Sequence, residues 1–129
     1  LSQSFNLFRH ARTAGADMFG HCQARGWRRI ALFGAGDLTE IFTLSARDFD
    51  VELAGVIADL PSASEFAGLP VIQQASCDPS DIDAVIVCDI SNPQAAFDRA
   101  RTLFPADRVL APRFLGVLRP NEIAAGAGE

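Results

Sequence analysis

The residues best placed to do chemistry lie at one short turn, Gly34-Ala35-Gly36-Asp37-Leu38, directly after the apolar run Ile30-Ala31-Leu32-Phe33. A buried strand that ends in two glycines and opens into a helix is the first half of a dinucleotide-binding pattern. The first glycine allows the tight turn, the second lets the backbone approach a phosphate, and the helix end supplies N–H groups and positive dipole. Two residues depart from the full pattern. Thr39 stands at the third glycine position, and Asp37 sets a carboxylate at the helix end that favours anions. Three readings follow. Asp37 caps the helix and the turn is structural, or it turns aside for a phosphate, or the turn receives a neutral or hydroxylated ligand.

Two further acidic positions fit the same chemistry. Asp59 closes the apolar run Val51 to Ala58. It lies about 25 positions after Gly34, near the roughly 20-residue offset at which an acidic residue holds ribose hydroxyls. A carboxylate accepts hydrogen bonds from both vicinal hydroxyls, and equally it starts a turn before Pro61. Asp89, Ser91 and Asn92 follow the run Asp83-Ala84-Val85-Ile86-Val87-Cys88. Ser91 and Asn92 either contact a base, ribose or sugar, or cap the helix that begins at Pro93.

Other chemistries lack their residues. All 11 basic residues are arginine, and the chain has no lysine and no tyrosine. A P-loop, a pyridoxal Schiff base and a Tyr/Lys dehydrogenase pair are thereby excluded. No G-x-S-x-G elbow occurs, and Cys22, Cys77 and Cys88 form no C-x-x-C. His10 and His21 share a helix face but stand about 16 Å apart along it, too far for one metal. Asp48 with Asp50, and Asp78, Asp81 with Asp83, read as solvated loop carboxylates. No catalytic set stands out.

The elements that must hold the turn follow from periodicity. Residues 3–26 carry Phe5, Phe8, Gly15, Phe19 and Cys22 at three- and four-residue steps, widened by Ala11, Ala14 and Met18, with Gly26 as the stop. Such a helix spans about 36 Å, more than a small domain needs for its own cover. Helical spacing returns at 37–49 and at 93–104, where Ala96, Phe97, Ala100, Leu103 and Phe104 form the inward face. Between the helices lie runs that are apolar throughout, as in parallel strands covered on both faces. These observations predict an α/β, three-layer, Rossmann-like domain with about five parallel strands in the order 3-2-1-4-5. The expected divisions are a linker or dimerisation helix over 1–27, the binding domain over 28–119 and a flexible tail over 120–129.

Composition sets the class. The chain has 129 residues, 49% of them hydrophobic, with a net charge of −5. That suits one globular domain. No apolar run reaches the roughly 20 residues that cross a bilayer, and no signal peptide is read, so a cytoplasmic protein without membrane contact is expected. The start at Leu1 is read as part of a longer protein. Charge is uneven: residues 1–30 hold Arg9, Arg12, Arg25, Arg28 and Arg29 against Asp17, a net +4, whereas 31–129 carries −9. A basic leading segment either meets something anionic or is a solvated helix face.

The run from Ile30 to Pro112 resembles the cofactor domain of the redox-sensing repressor family called Rex. The resemblance rests on Gly34-Ala35-Gly36-Asp37-Leu38, Ala54-Gly55-Val56-Ile57-Ala58-Asp59, Gly68-Leu69-Pro70-Val71 and the stretch Asp81 to Val87. The same connector is similar to that of the nucleotide-sugar-binding N-terminal domain of sugar acyltransferases. The leading helix, with Phe5 to Arg12 and Arg25-Gly26-Trp27-Arg28-Arg29, looks like the link between a winged-helix DNA-binding domain and a Rossmann-like domain in MarR-like, exopolysaccharide-associated bacterial regulators. The resemblance implies a non-catalytic ligand-sensing or assembly domain of a transcriptional regulator. It implies NAD(H) or a nucleotide-sugar as the small nucleotide-type ligand, and a homodimer formed through the N-terminal helix. DNA would be met only through a domain upstream of these residues. A binding domain of a sugar-modifying enzyme and a scaffold for protein contacts are the other readings.

Overall fold

The computed structural model describes residues 2–58 and 64–118, with side chains from Arg9 onward. The leading helix α1, Ser2–Ala24, ends where expected. Gly26 takes φ 77°, and the N–H groups of Gly26 and Trp27 return to Gln23 O (3.1 Å) and Cys22 O (2.9 Å), so the last carbonyls are satisfied. Strand β1 (Arg29–Phe33) follows, then α2 (Asp37–Ser45), β2 (Glu52–Ile57), β3 (Glu65–Phe66), β4 (Leu69–Ile72), β5 (Ala84–Val87), α3 (Pro93–Leu103) and β6 (Val109–Leu110). The helical spacing read at 37–49 stops at Ser45, and residues 46–48 tighten into a 3-10 turn.

The chain is therefore α/β, with a leading helix and a six-stranded, mostly parallel sheet ordered β3-β4-β2-β1-β5-β6. This corrects the expectation of about five parallel strands ordered 3-2-1-4-5. The connector between β2 and β4 contributes β3, which pairs antiparallel with β4 through Glu65 opposite Pro70 and Phe66 opposite Leu69. Ala67 (φ 53°) and Gly68 (φ 80°) make the two-residue turn, a geometry whose twist suits a hairpin. All other pairings are parallel.

Alternation along β1 and β5 divides the core. Ile30, Leu32, Ala84, Ile86 and Cys88 face α1 and α2, where Ala11, Phe19, Cys22, Leu38 and Phe42 cover them. Ala31, Phe33, Val85 and Val87 face the opposite way, against Ala96, Phe97, Ala100 and Phe104 of the α3 region. Strands covered on both sides carry no polar face, which explains their unbroken apolar runs. Gly15 sets the approach of α1 to α2, because a Cβ there would lie 2.9 Å from Ser45 Oγ and 3.2 Å from Phe42 Cδ1.

The amino ends of β1, β2 and β5 are held together by charge. Asp83 Oδ2 accepts from the backbone N–H of Arg28 (2.9 Å) and Arg29 (3.0 Å), tying the start of β5 to that of β1. The Arg29 guanidinium bonds Glu52 and also donates to Asp81 O at 2.8 Å, while Arg28 pairs with Asp50 at 3.2 Å. Arg25 and Arg108 lie over the Trp27 ring at 5.4 and 5.8 Å. Asp81 and Asp83, read as solvated loop carboxylates, thus fasten strands. The positive charge of residues 25–29 is largely engaged within the molecule.

Candidate functional site

Strand β1 has β2 on one side and β5 on the other, so its carboxyl end lies where the crossovers leave in opposite directions. A crevice opens there in open α/β sheets. Here it is a cavity of about 270 Å³, lined by Ala35, Gly36 and Asp37 from the first loop and by Cys88, Asp89, Ile90 and Ser91 from the loop after β5. A larger cavity of about 500 Å³ lies between α1 and residues 111–114, and none of the expected site residues line it.

The two glycines of the turn have different reasons to be there. Gly34 holds φ +115°, and a Cβ on it would sit 3.2 Å from Asp89 N, so the fold itself requires glycine. Its N–H continues the sheet by donating to Ile57 O at 3.0 Å. Gly36 is different. Its φ of 178° is extended backbone open to any residue, and a Cβ there would meet nothing within 4 Å.

Thr39 holds the turn in shape. Its hydroxyl donates to Gly34 O at 2.6 Å and accepts from Gly36 N at 3.2 Å, and the side chain is fully buried. The residue that departs from the glycine pattern is thus a clamp on the loop. Its position three residues into the helix, where a side chain reaches back to the N-cap N–H, was the signal available in the sequence. Gly36 is the N-cap, so Asp37 is the first helical residue. Asp37 makes no capping hydrogen bond; it acts with Glu40 as negative charge in the first turn. Leu38, though part of the motif, is fully buried in the core beneath α2 and does not reach the cavity.

Across the crevice, Asp89 organises its own loop. Its Oδ1 accepts from Ser91 Oγ at 2.9 Å and from Asn92 N at 3.0 Å. Burial pushes the Asp89 carboxyl upward, but the hydrogen bonds from Asn92 and Ser91 and the charge of Arg99 outweigh it, holding the group below the usual carboxylate range. Asn92 caps α3 by accepting from Ala95 N at 3.4 Å and does not line the cavity. Of the two readings of Ser91 and Asn92, helix-end structure accounts for Asn92, whereas Ser91 both bonds Asp89 and borders the crevice. Asp59 lies outside the described residues.

Cys88 Sγ donates to Ile86 O at 3.5 Å, and burial drives its thiol well above the ordinary range. A neutral, tethered thiol is no nucleophile. Among the described residues, no three His, Cys, Asp or Glu side chains converge as a metal set would require. The described residues also include no helix long and apolar enough to cross a membrane. The lining therefore offers two carboxylates, a hydroxyl and exposed backbone, with no cationic side chain. Such a surface accepts hydrogen bonds from ligand hydroxyl or amine groups more readily than it receives a phosphate. No protein-family model matches the chain, and no curated protein matches it.

Proposed function

We propose that this chain is a non-catalytic, Rossmann-like ligand-sensing domain. Its nucleotide-type ligand would lie in the crevice between residues 35–37 and 88–91, with a hydroxyl-bearing part toward Asp37 and Asp89. The observation that carries the reading is Gly36. Neither packing nor a positive φ demands glycine there, yet the residue borders the cavity at the helix end, where a side chain would occupy ligand space. The likeness of the turn and connector to redox-sensing repressors supports a place in a transcriptional regulator, with DNA contacted by a separate domain. Fold analogy supports that wider role, and the site supports the binding.

The test is thermal unfolding with NAD, NADH, a UDP-sugar and coenzyme A, for the native chain and for Gly36→Val. A ligand at 100 times its Kd should stabilise the native chain by about 2.7 kcal/mol. The valine variant should lose that shift while its unliganded stability changes by less than about 1 kcal/mol. Equal shifts in both proteins would place the ligand elsewhere. No shift with any compound would favour the scaffold for protein contacts.

A further inference from the structure

We propose that the cavity between α1 and residues 111–114 binds a small aromatic zwitterion, of which an aromatic α-amino acid is the simplest form. The cavity holds about 500 Å³, within the range of small-molecule sites, and shares no lining residue with the crevice at the end of β1. It therefore stands independently of the ligand proposed there. One wall comes from α1, where His10, Thr13, Asp17 and Met18 recur at three- and four-residue steps and so form a single stripe. The facing wall follows β6. Buried Pro112 leads into a 3-10 turn, Arg113–Leu115, in which Leu115 N–H donates to Pro112 O at 3.1 Å and Gly116 N–H to Arg113 O at 3.0 Å. That turn holds Arg113 and Phe114 against the cavity.

Two opposite charges border this cavity without meeting. Among the described residues, neither the Asp17 carboxylate nor the Arg113 guanidinium makes a side-chain hydrogen bond or an ion pair, with each other or with any other group. A ligand that carries both an ammonium and a carboxylate satisfies the two together. Its ammonium donates to Asp17, and its carboxylate accepts from Arg113 through two parallel N–H groups. A ligand with one charge pairs one side and leaves the other without a partner. The apolar surface between them suits a ring. His10 lies over Phe114 with ring centroids 6.1 Å apart and planes tilted by 32°, and Met18 adds a thioether, a group that packs well on aromatic edges. The crevice at the end of β1 has no cationic lining residue to receive a carboxylate, so the same ligand is not expected there.

The experiment is isothermal titration calorimetry at pH 7 with L-phenylalanine, 3-phenylpropanoate and 2-phenylethylamine. The proteins are the native chain, Asp17→Asn, Arg113→Gln and Gly36→Val, with circular dichroism to verify folding. Asp17 and Arg113 are exposed, so their substitution should leave the fold intact. The native chain should bind phenylalanine with a Kd below about 1 mM. Each singly charged compound should bind it at least about tenfold more weakly, and each charge variant should lose at least about tenfold in affinity for phenylalanine. Gly36→Val should bind phenylalanine as the native chain does, whatever it does to a nucleotide. A native chain that does not bind phenylalanine, or a charge variant that keeps native affinity, would overturn the proposal. So would a singly charged compound that binds as tightly as phenylalanine, or a loss of phenylalanine binding in Gly36→Val.

Discussion

At the scale of single residues, the turn shows how one side chain can replace a missing glycine by different means. In the full dinucleotide pattern a third glycine allows the helix to approach the sheet. Here Thr39 occupies that position, and its hydroxyl takes both a carbonyl and an N–H of the loop that precedes it. The loop is therefore held by a fully buried hydroxyl. Thr39→Val keeps the shape and removes both bonds, leaving the Gly34 carbonyl and the Gly36 N–H without that partner. Unsatisfied groups of this kind cost about 1–3 kcal/mol each when buried, and the half-buried setting of both glycines argues for a total of about 2 kcal/mol. Urea unfolding of the two proteins measures it. A loss below about 0.5 kcal/mol, within the ordinary range for surface changes, would mean that the loop keeps its shape without the clamp.

At the scale of elements, the legible parts were those whose cause is local. The long α1, the glycine stop at Gly26 and the buried runs of β1 and β5 follow from periodicity and composition. The existence of β3 does not. A two-residue hairpin is signalled by Asn-Gly or Asp-Gly, because both central residues take positive φ, and here the pair is Ala67-Gly68. Alanine at φ 53° gives no such signal and carries a cost of about 1 kcal/mol that asparagine largely avoids. Ala67→Asn should accordingly stabilise the protein by about 0.5–1 kcal/mol, read as a raised Tm. An unchanged or lowered Tm would show that the turn does not hold this conformation in solution. The site was legible to the same degree. The motif named Ala35, Gly36 and Asp37, and strand ends named Asp89 and Ser91; all five line the crevice, whereas Gly34 serves the turn itself. Leu38 and Asn92 were drawn in by adjacency in sequence, although the core takes the first and the end of α3 takes the second. What cannot be read along the chain is the approach of distant loops, such as that of Asp89 to Gly34, which leaves little room for a Cβ there.

At the scale of the molecule, the two edges of the sheet are built for different ends. The carboxyl edge keeps an open crevice with Asp37 and Asp89 at its rim. The amino edge is fastened by the Arg28, Arg29 and Asp83 contacts, which tie β1 to β5 across 54 positions of sequence. Asp83 makes this edge sensitive to acid. The backbone N–H groups of Arg29 and Arg28 hold its carboxylate below the usual range against the opposing effect of burial, and the nearby Arg108 and Arg29 charges add to the lowering. Because the folded-state pKa lies below the unfolded value of about 3.9, this contribution is present above that value and is lost as pH falls through the lower folded pKa. Asp83→Asn removes the charge and its titration. At pH 7 the variant should be less stable by about 1 kcal/mol, the difference between a charge-assisted and a neutral hydrogen bond at a partly exposed site. Below pH 4 the native protein should lose stability more steeply than the variant, so that the two unfolding midpoints converge. Midpoints that keep a constant separation from pH 7 to pH 3 would show that Asp83 does not link the sheet to the proton concentration.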